Sequence, residues 1–135
     1  MVAVNKEFAE VCQRAADVLN GLDGYFLERV SLDTGRVNGG VDIFLRVGPS
    51  APDVVISLTG VVRAAIGNFL EMDSAFVDEI RLEYVSGSEP SWPGGLAGLG
   101  ARPPGFPDVA WLTIEGPMPV EVVAKAVTVS VAQVY

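Results

Sequence analysis

The sequence predicts an α+β fold: an N-terminal amphipathic helix packed on a mainly antiparallel sheet of five to seven strands, in a single domain spanning residues 1–135. Three observations predict it. Near the start of the chain apolar residues recur every three or four positions, which marks one face of a helix. Further on they alternate with polar residues, the period of a strand with one side in a core and one in water. Between these runs lie clusters of Gly, Pro, Asn and Asp, the turn chemistry that lets strands reverse direction. At 135 residues and 50% apolar, the chain is long enough to bury about two-thirds of its unfolded surface around one core.

The helix is predicted over Asn5–Asn20. Phe8, Val11, Cys12, Ala15, Val18, Leu19 and Leu22 form its apolar stripe, while Lys6, Glu7, Glu10, Gln13, Arg14 and Asp17 take the other face. Asn5 is placed to cap its start and Gly21 its end. Cys12 falls on the stripe, where a thiol acts as a small hydrophobe. The aromatic and branched run Tyr25–Leu32 predicts a strand, followed by turn residues at 33–35 and 38–40. Val41, Ile43, Leu45 and Val47 then alternate with Asp42, Phe44 and Arg46, so the two segments are expected to form an antiparallel hairpin. Residues 33–42 are not a calcium loop, because Gly35 and Val37 occupy positions that need oxygen ligands.

Val54–Thr59 predicts a third strand. In residues 61–70, Val62, Ala65, Ile66 and Phe69 have helical spacing, yet Gly60 and Gly67 bracket a piece of strand length, and a strand or bulged continuation is preferred. Phe76–Val85 is the next strand, with Ile80, Leu82 and Tyr84 on one face and Glu79, Arg81 and Glu83 on the other. Val109–Glu115 is apolar on both faces, as expected near the middle of a sheet with the helix on one side and a loop or second layer on the other. Val120–Val131 opens with helical spacing at Val120, Val123, Ala124 and Val127 and closes as a strand at Val127, Val129 and Val131.

Ser86–Asp108 differs from the rest. Six glycines and five prolines in this stretch exclude regular structure and predict a long loop. It also carries Trp92, Leu96, Leu99 and Phe106, more apolar material than a linker needs, which packs the loop down or offers a contact surface, two roles that can coexist.

Composition excludes several chemistries. The chain has no histidine, which removes histidine-based triads, the usual zinc sites and the most common general base. Its one cysteine, Cys12, excludes an intramolecular disulfide. Gly95, Gly98 and Gly100 mimic a phosphate-binding loop but lie between prolines, not between a strand and a helix. No cofactor and no metal site is expected. A net charge of −8 opposes binding to nucleic acid, and no charge-free run reaches the roughly 20 residues of a membrane helix. The opening MVAVNKEF lacks the basic start and long apolar run of an export signal, so the expected location is the cytoplasm.

Two sets of residues remain as candidates. In residues 71–89 six carboxylates, Glu71, Asp73, Asp78, Glu79, Glu83 and Glu89, stand against one Arg81. A row of like charges on an exposed strand face repels unless a cation lies across it. A basic protein partner would supply that cation, with Asp73, Asp78, Glu79, Arg81, Glu83, Trp92 and Phe106 as the expected contact residues. The alternative is a small-molecule binder, hydrolase or isomerase in which Glu28 or Asp42 points inward and acts as a buried carboxylate base. A third reading is a homo-oligomeric subunit that associates through the C-terminal strand, Val127–Val131.

The acidic charge, the small α+β layout and the lack of a catalytic set are similar in general style to the immunity proteins of bacterial toxin systems. The resemblance implies a non-enzymatic inhibitor that binds a basic protein, and it assigns no individual residue.

Overall fold

The computed structural model describes residues 6–20, 25–33, 39–46, 53–67, 77–87, 92, 106–116 and 119–131. Helix α1 covers Lys6–Leu19 and is followed by strands β1 (Phe26–Asp33), β2 (Gly40–Arg46), β3 (Val54–Ile66), β4 (Glu79–Val85), β5 (Val109–Glu115) and β6 (Val120–Val131). The sheet order is β1-β2-β3-β6-β5-β4, and every neighbouring pair is antiparallel. The fold is thus α+β, with one N-terminal helix on a six-stranded sheet. Asn5 and Gly21, the expected helix caps, lie outside the described residues.

The topology is two three-stranded meanders, β1-β2-β3 and β4-β5-β6, joined along their two longest strands. Each long strand pairs with its own meander over only half its length. In β3 that half runs from Val54 to Thr59, against β2, and in β6 from Val120 to Ala124, against β5. The other halves pair across the junction alone.

The core is apolar throughout, and no polar or charged residue is buried among the described ones. Cys12, Ala15 and Leu19 bring the helix onto a layer that includes Ile43, Leu45, Ile56, Leu58, Leu82, Leu112, Ile114 and Val122. These residues fall on one side of each strand because successive side chains alternate. The expected period breaks around Gly60 and again on β3 just beyond it, where the pairing with β6 shifts register between Val61 and Arg63. Inward residues on β3 run Leu58, Val61, Ile66, and on β6 they run Ala124, Val127, so the steps are odd. Thr59 faces Ala126 and Val61 faces Ala124, so the two phase changes lie side by side and form a corner in the sheet. Gly60 makes the corner with φ of 64°, a left-handed conformation that suits glycine. Its N–H donates to the Gly39 carbonyl at 3.2 Å.

Residues 61–66 are therefore a bulged strand, as preferred from sequence, and Val120–Val131 is strand from end to end. Strand β5 is paired on both sides but lies second from the edge; β3 and β6 occupy the middle. Its two apolar faces reflect two covers. Ala110, Leu112 and Ile114 join the helix-side core, whereas Val109 packs in a second cluster with Val85, Trp92 and Val123, flanked by Phe106 and Trp111.

Candidate functional site

The outward face of β4, β5 and β6 divides into a covered end and a bare end. Cross-strand register places Val85 opposite Val109, Glu83 opposite Trp111, Arg81 opposite Thr113 and Glu79 opposite Glu115. Thr113 in turn faces Glu121 on β6. Apolar side chains thus gather at one end of the face and carboxylates at the other.

At the bare end Asp78, Arg81, Glu83 and Glu115 are exposed and Glu79 is half-buried. Arg81 Nε donates to Glu79 Oε1 at 2.9 Å. The guanidinium is held more firmly protonated than usual, first by that bond and the charge of Glu79, then by Glu115 and Glu83. Glu79 and Glu115 sit directly opposite each other, a like-charge pair that Arg81 offsets only in part. The start of β4 is fixed by the Asp78 N–H, which donates to the Glu115 carbonyl at 2.9 Å. Next to this row is a hollow of about 360 Å³ at the ends of β3, β5 and β6, lined by residues that include Ala65, Thr113, Glu115, Pro119 and Glu121. Glu121 accepts from Arg63 Nε at 3.1 Å and from Trp111 Nε1 at 3.3 Å, so its carboxylate is fixed on the rim.

At the covered end Trp92 is only 9% exposed and meets Phe106 edge-on, with ring centroids 5.2 Å apart. Trp92 is thus packed down, one of the two compatible roles that the sequence leaves open, and Phe106 is half-buried beside it. Asp108 closes the base of the same segment. Its carboxylate accepts from the Tyr84 hydroxyl at 2.5 Å and from the Gly87 N–H at 2.6 Å. Gly87 passes so close to the Phe106 carbonyl that a Cβ would clash with it, so a side chain there would force the two strand ends apart.

The sequence-predicted residues thus separate into groups. Glu79, Arg81 and Glu83 share the outward face of β4, Asp78 is exposed just before its start, and Asp73 lies outside the described residues. Glu28 does not point into the core. It is exposed, at an irregularity between Leu27 and Arg29, and pairs with Arg46 at 3.5 Å. Asp42 is half-buried on the side of β2 opposite Val41, Ile43 and Leu45. Neither residue supplies the buried carboxylate that the enzymatic alternative needs. Val127–Val131 pairs with β3 on one side, and β5 ends short of it on the other. Glu115, Glu121, Tyr84 and Asp108 were not among the sequence candidates.

Two further reactive side chains, Cys12 and Tyr84, are held protonated. Burial pushes the Cys12 thiol up to about 11, and the charge of Asp108 adds to the effect. Tyr84 is raised as well, by burial first and then by its bond to Asp108. Neither offers a thiolate or phenolate at neutral pH. Among the described residues no group of three or more Asp, Glu, His or Cys is placed to hold a metal, and no helix is long and apolar enough to cross a membrane.

Cys12 gives a signed pH dependence. The unfolded thiol ionises from about 9, whereas the folded one keeps its proton to about 11. Its stabilising contribution is complete below pH 9 and is lost as pH rises through 11, about 3 kcal/mol in all. Urea midpoints measured across that range should fall more steeply for the wild type than for Cys12→Ala; equal slopes would remove Cys12 as the cause.

No protein-family model matches the chain, and no curated protein matches it.

Proposed function

We propose that this protein is a non-enzymatic binding module that docks a basic protein on the bare end of the β4-β5-β6 face, in the manner of an immunity-type inhibitor. One observation carries the reading: Glu79, Glu83 and Glu115 act on a single Arg81 whose guanidinium is already engaged by Glu79, and Asp78 is exposed just before the same strand. The excess of carboxylates is left for a cation from outside. An approaching Lys or Arg side chain reaches Glu115 and Glu121 on the rim of the adjoining hollow, where Thr113 adds a hydroxyl. Net charge of the same sign over the rest of the molecule steers a basic partner in and makes association fall with salt. The facing pair of Glu79, half-buried, and Glu115, exposed, gains most, since a cation between them relieves their repulsion.

The test is a pull-down from the source cell at low and moderate salt, with the wild type and the double variant Asp78→Lys plus Glu83→Lys. Both positions are exposed, so the fold is expected to tolerate the change. The wild type should retain a basic protein in a salt-sensitive manner. The variant should bind the same protein at least about a hundredfold more weakly, mainly through a slower association rate. If every partner stays bound with unchanged salt dependence, the acidic face is a solvated surface and the proposal is wrong.

A further inference from the structure

The hollow of about 360 Å³ at the ends of β3, β5 and β6 combines a charged rim with an apolar wall. Thr113 and Glu115 come from β5, Glu121 from β6 with Pro119 just before it, and Ala65 and Ile66 from the end of β3. Thr113 stands directly opposite Glu121, and the same register puts Glu115 two residues further along, diagonal to Glu121 and on the same outward face. Diagonal positions of this kind are roughly 7–8 Å apart, so the two carboxylates flank the hollow with Thr113 adjoining both.

The local charges do not balance. Glu121 is bonded to Arg63, and Glu79, which faces Glu115 from β4, is bonded to Arg81. Glu115 is exposed, and its carboxylate has no hydrogen-bonding or ion-pair partner among the described residues. The segments that line the hollow or adjoin it in sequence hold no cation to give it: residues 64–80 and 103–124 contain no Lys or Arg, whereas Glu71, Asp73 and Asp78 add further negative charge. One uncompensated carboxylate calls for one monovalent cation, supplied by a binding partner.

We infer that this cation is the guanidinium of one arginine on the basic partner, an assignment that rests on the binding-module reading, and that the hollow selects arginine over lysine. A guanidinium presents five N–H groups in a planar fork, enough to serve Glu115, Glu121 and the Thr113 hydroxyl together. An ammonium is a compact point charge, and its three donors serve one carboxylate well and a diagonal second one poorly. The acceptors are ready in advance. Glu121 Oε1 holds the Arg63 Nε donor and Oε2 the Trp111 Nε1 donor, so this carboxylate is fixed in place, and each oxygen keeps a lone pair for a further donor. Glu115 thus supplies the charge and Glu121 the orientation. Ala65, Ile66 and Pro119 give the aliphatic stem an apolar wall, beside which a weakly hydrated guanidinium loses less on leaving water. A divalent metal ion fits less well, since among the described residues no group of three or more ligands is placed to hold one.

Two probes, acetyl-arginine amide and acetyl-lysine amide, titrated into the full chain at low salt and followed by backbone amide NMR shifts, test the assignment. The arginine probe should shift the amides of Thr113, Glu115, Glu121 and residues 65–67 along saturable curves, and the lysine probe should bind at least about tenfold more weakly. Glu115→Gln, at an exposed position, should weaken the arginine probe about tenfold. Comparison of the two probes on the wild type does not depend on the variant folding. Equal affinity for the two probes, shifts centred on residues 78–83, the absence of a saturable shift, or a Glu115→Gln chain that binds the arginine probe as tightly as the wild type would each overturn the arginine site. Those outcomes leave the binding-module reading to the pull-down with Asp78→Lys plus Glu83→Lys. A pull-down that retains no basic protein, with the arginine probe still seated in the hollow, would remove that reading and keep the arginine site.

Discussion

Replacing Gly60 with valine is expected to lower the unfolding free energy by roughly 3–4 kcal/mol, read as a lower urea midpoint with an unchanged slope. Two costs add. A β-branched residue at φ of 64° is strained by about 1–3 kcal/mol. In addition, a Cβ at this position would lie 2.9 Å from the Lys125 Cβ and 3.2 Å from its Cδ. The Cδ can swing away, but the Cβ is fixed to the β6 backbone, so relief requires the two central strands to separate at the corner. Gly39→Val is the internal control. Gly39 has φ of 60° but nothing within 4 Å of its Cβ direction, so only the conformational cost applies. The difference between the two variants measures how tightly the corner is packed, and equal losses would show that β3 and β6 have room to move there.

That corner also explains where the sequence is hard to read. Val41, Ile43 and Leu45 keep a clean period of two and are all fully buried or nearly so, which makes β2 plain from the residues alone. In β3 and β6 the inward positions step by an odd number past Gly60 and Lys125, and the alternation drifts into a spacing that imitates a helix. In β6 a second effect adds to this. Val122, Val123 and Ala124 are all buried, because the Trp92 cluster covers the outward face where Val123 lies. An unbroken apolar run of that kind carries no period at all. Bulges and double cover are products of tertiary packing, and a local pattern does not encode them.

The candidate site was legible in proportion to how local it is. Glu79, Arg81 and Glu83 belong to one strand, with Asp78 just before it, and its alternation alone puts the three on one face. Glu115 and Glu121 join them only through the register of β4 on β5 and of β5 on β6, which is set by side chains distant in sequence. Asp108 is a similar case. Its partners Tyr84 and Gly87 lie on the far side of a long glycine- and proline-rich segment, and the available signal was weak: an Asp immediately before a strand, able to accept from backbone N–H groups.

Truncating Trp92 to alanine is expected to cost about 3–5 kcal/mol of stability, the range for a large aromatic removed from a packed site. The indole is 9% exposed and rests on Val85, Val109 and Val123, with the Phe106 ring edge-on at 5.2 Å. Its loss removes the transfer free energy of the ring and leaves a cavity bounded by strands β4, β5 and β6, which cannot collapse without shifting their register. Urea unfolding followed by circular dichroism gives the magnitude, and the fluorescence of the remaining Trp111 reports the site directly, because Trp111 flanks the same cluster and donates to Glu121. Its emission should move to longer wavelength in the folded variant as water reaches the exposed end of β5. A loss of under about 1 kcal/mol, with Trp111 emission unchanged, would mean that the Trp92 contact is not energetically coupled to the sheet. The same variant bears on function. If the basic partner docks on the carboxylate end of this face, Trp92→Ala should weaken binding far less than Asp78→Lys plus Glu83→Lys at temperatures where it stays folded, because Trp92 supports the platform and does not project from it.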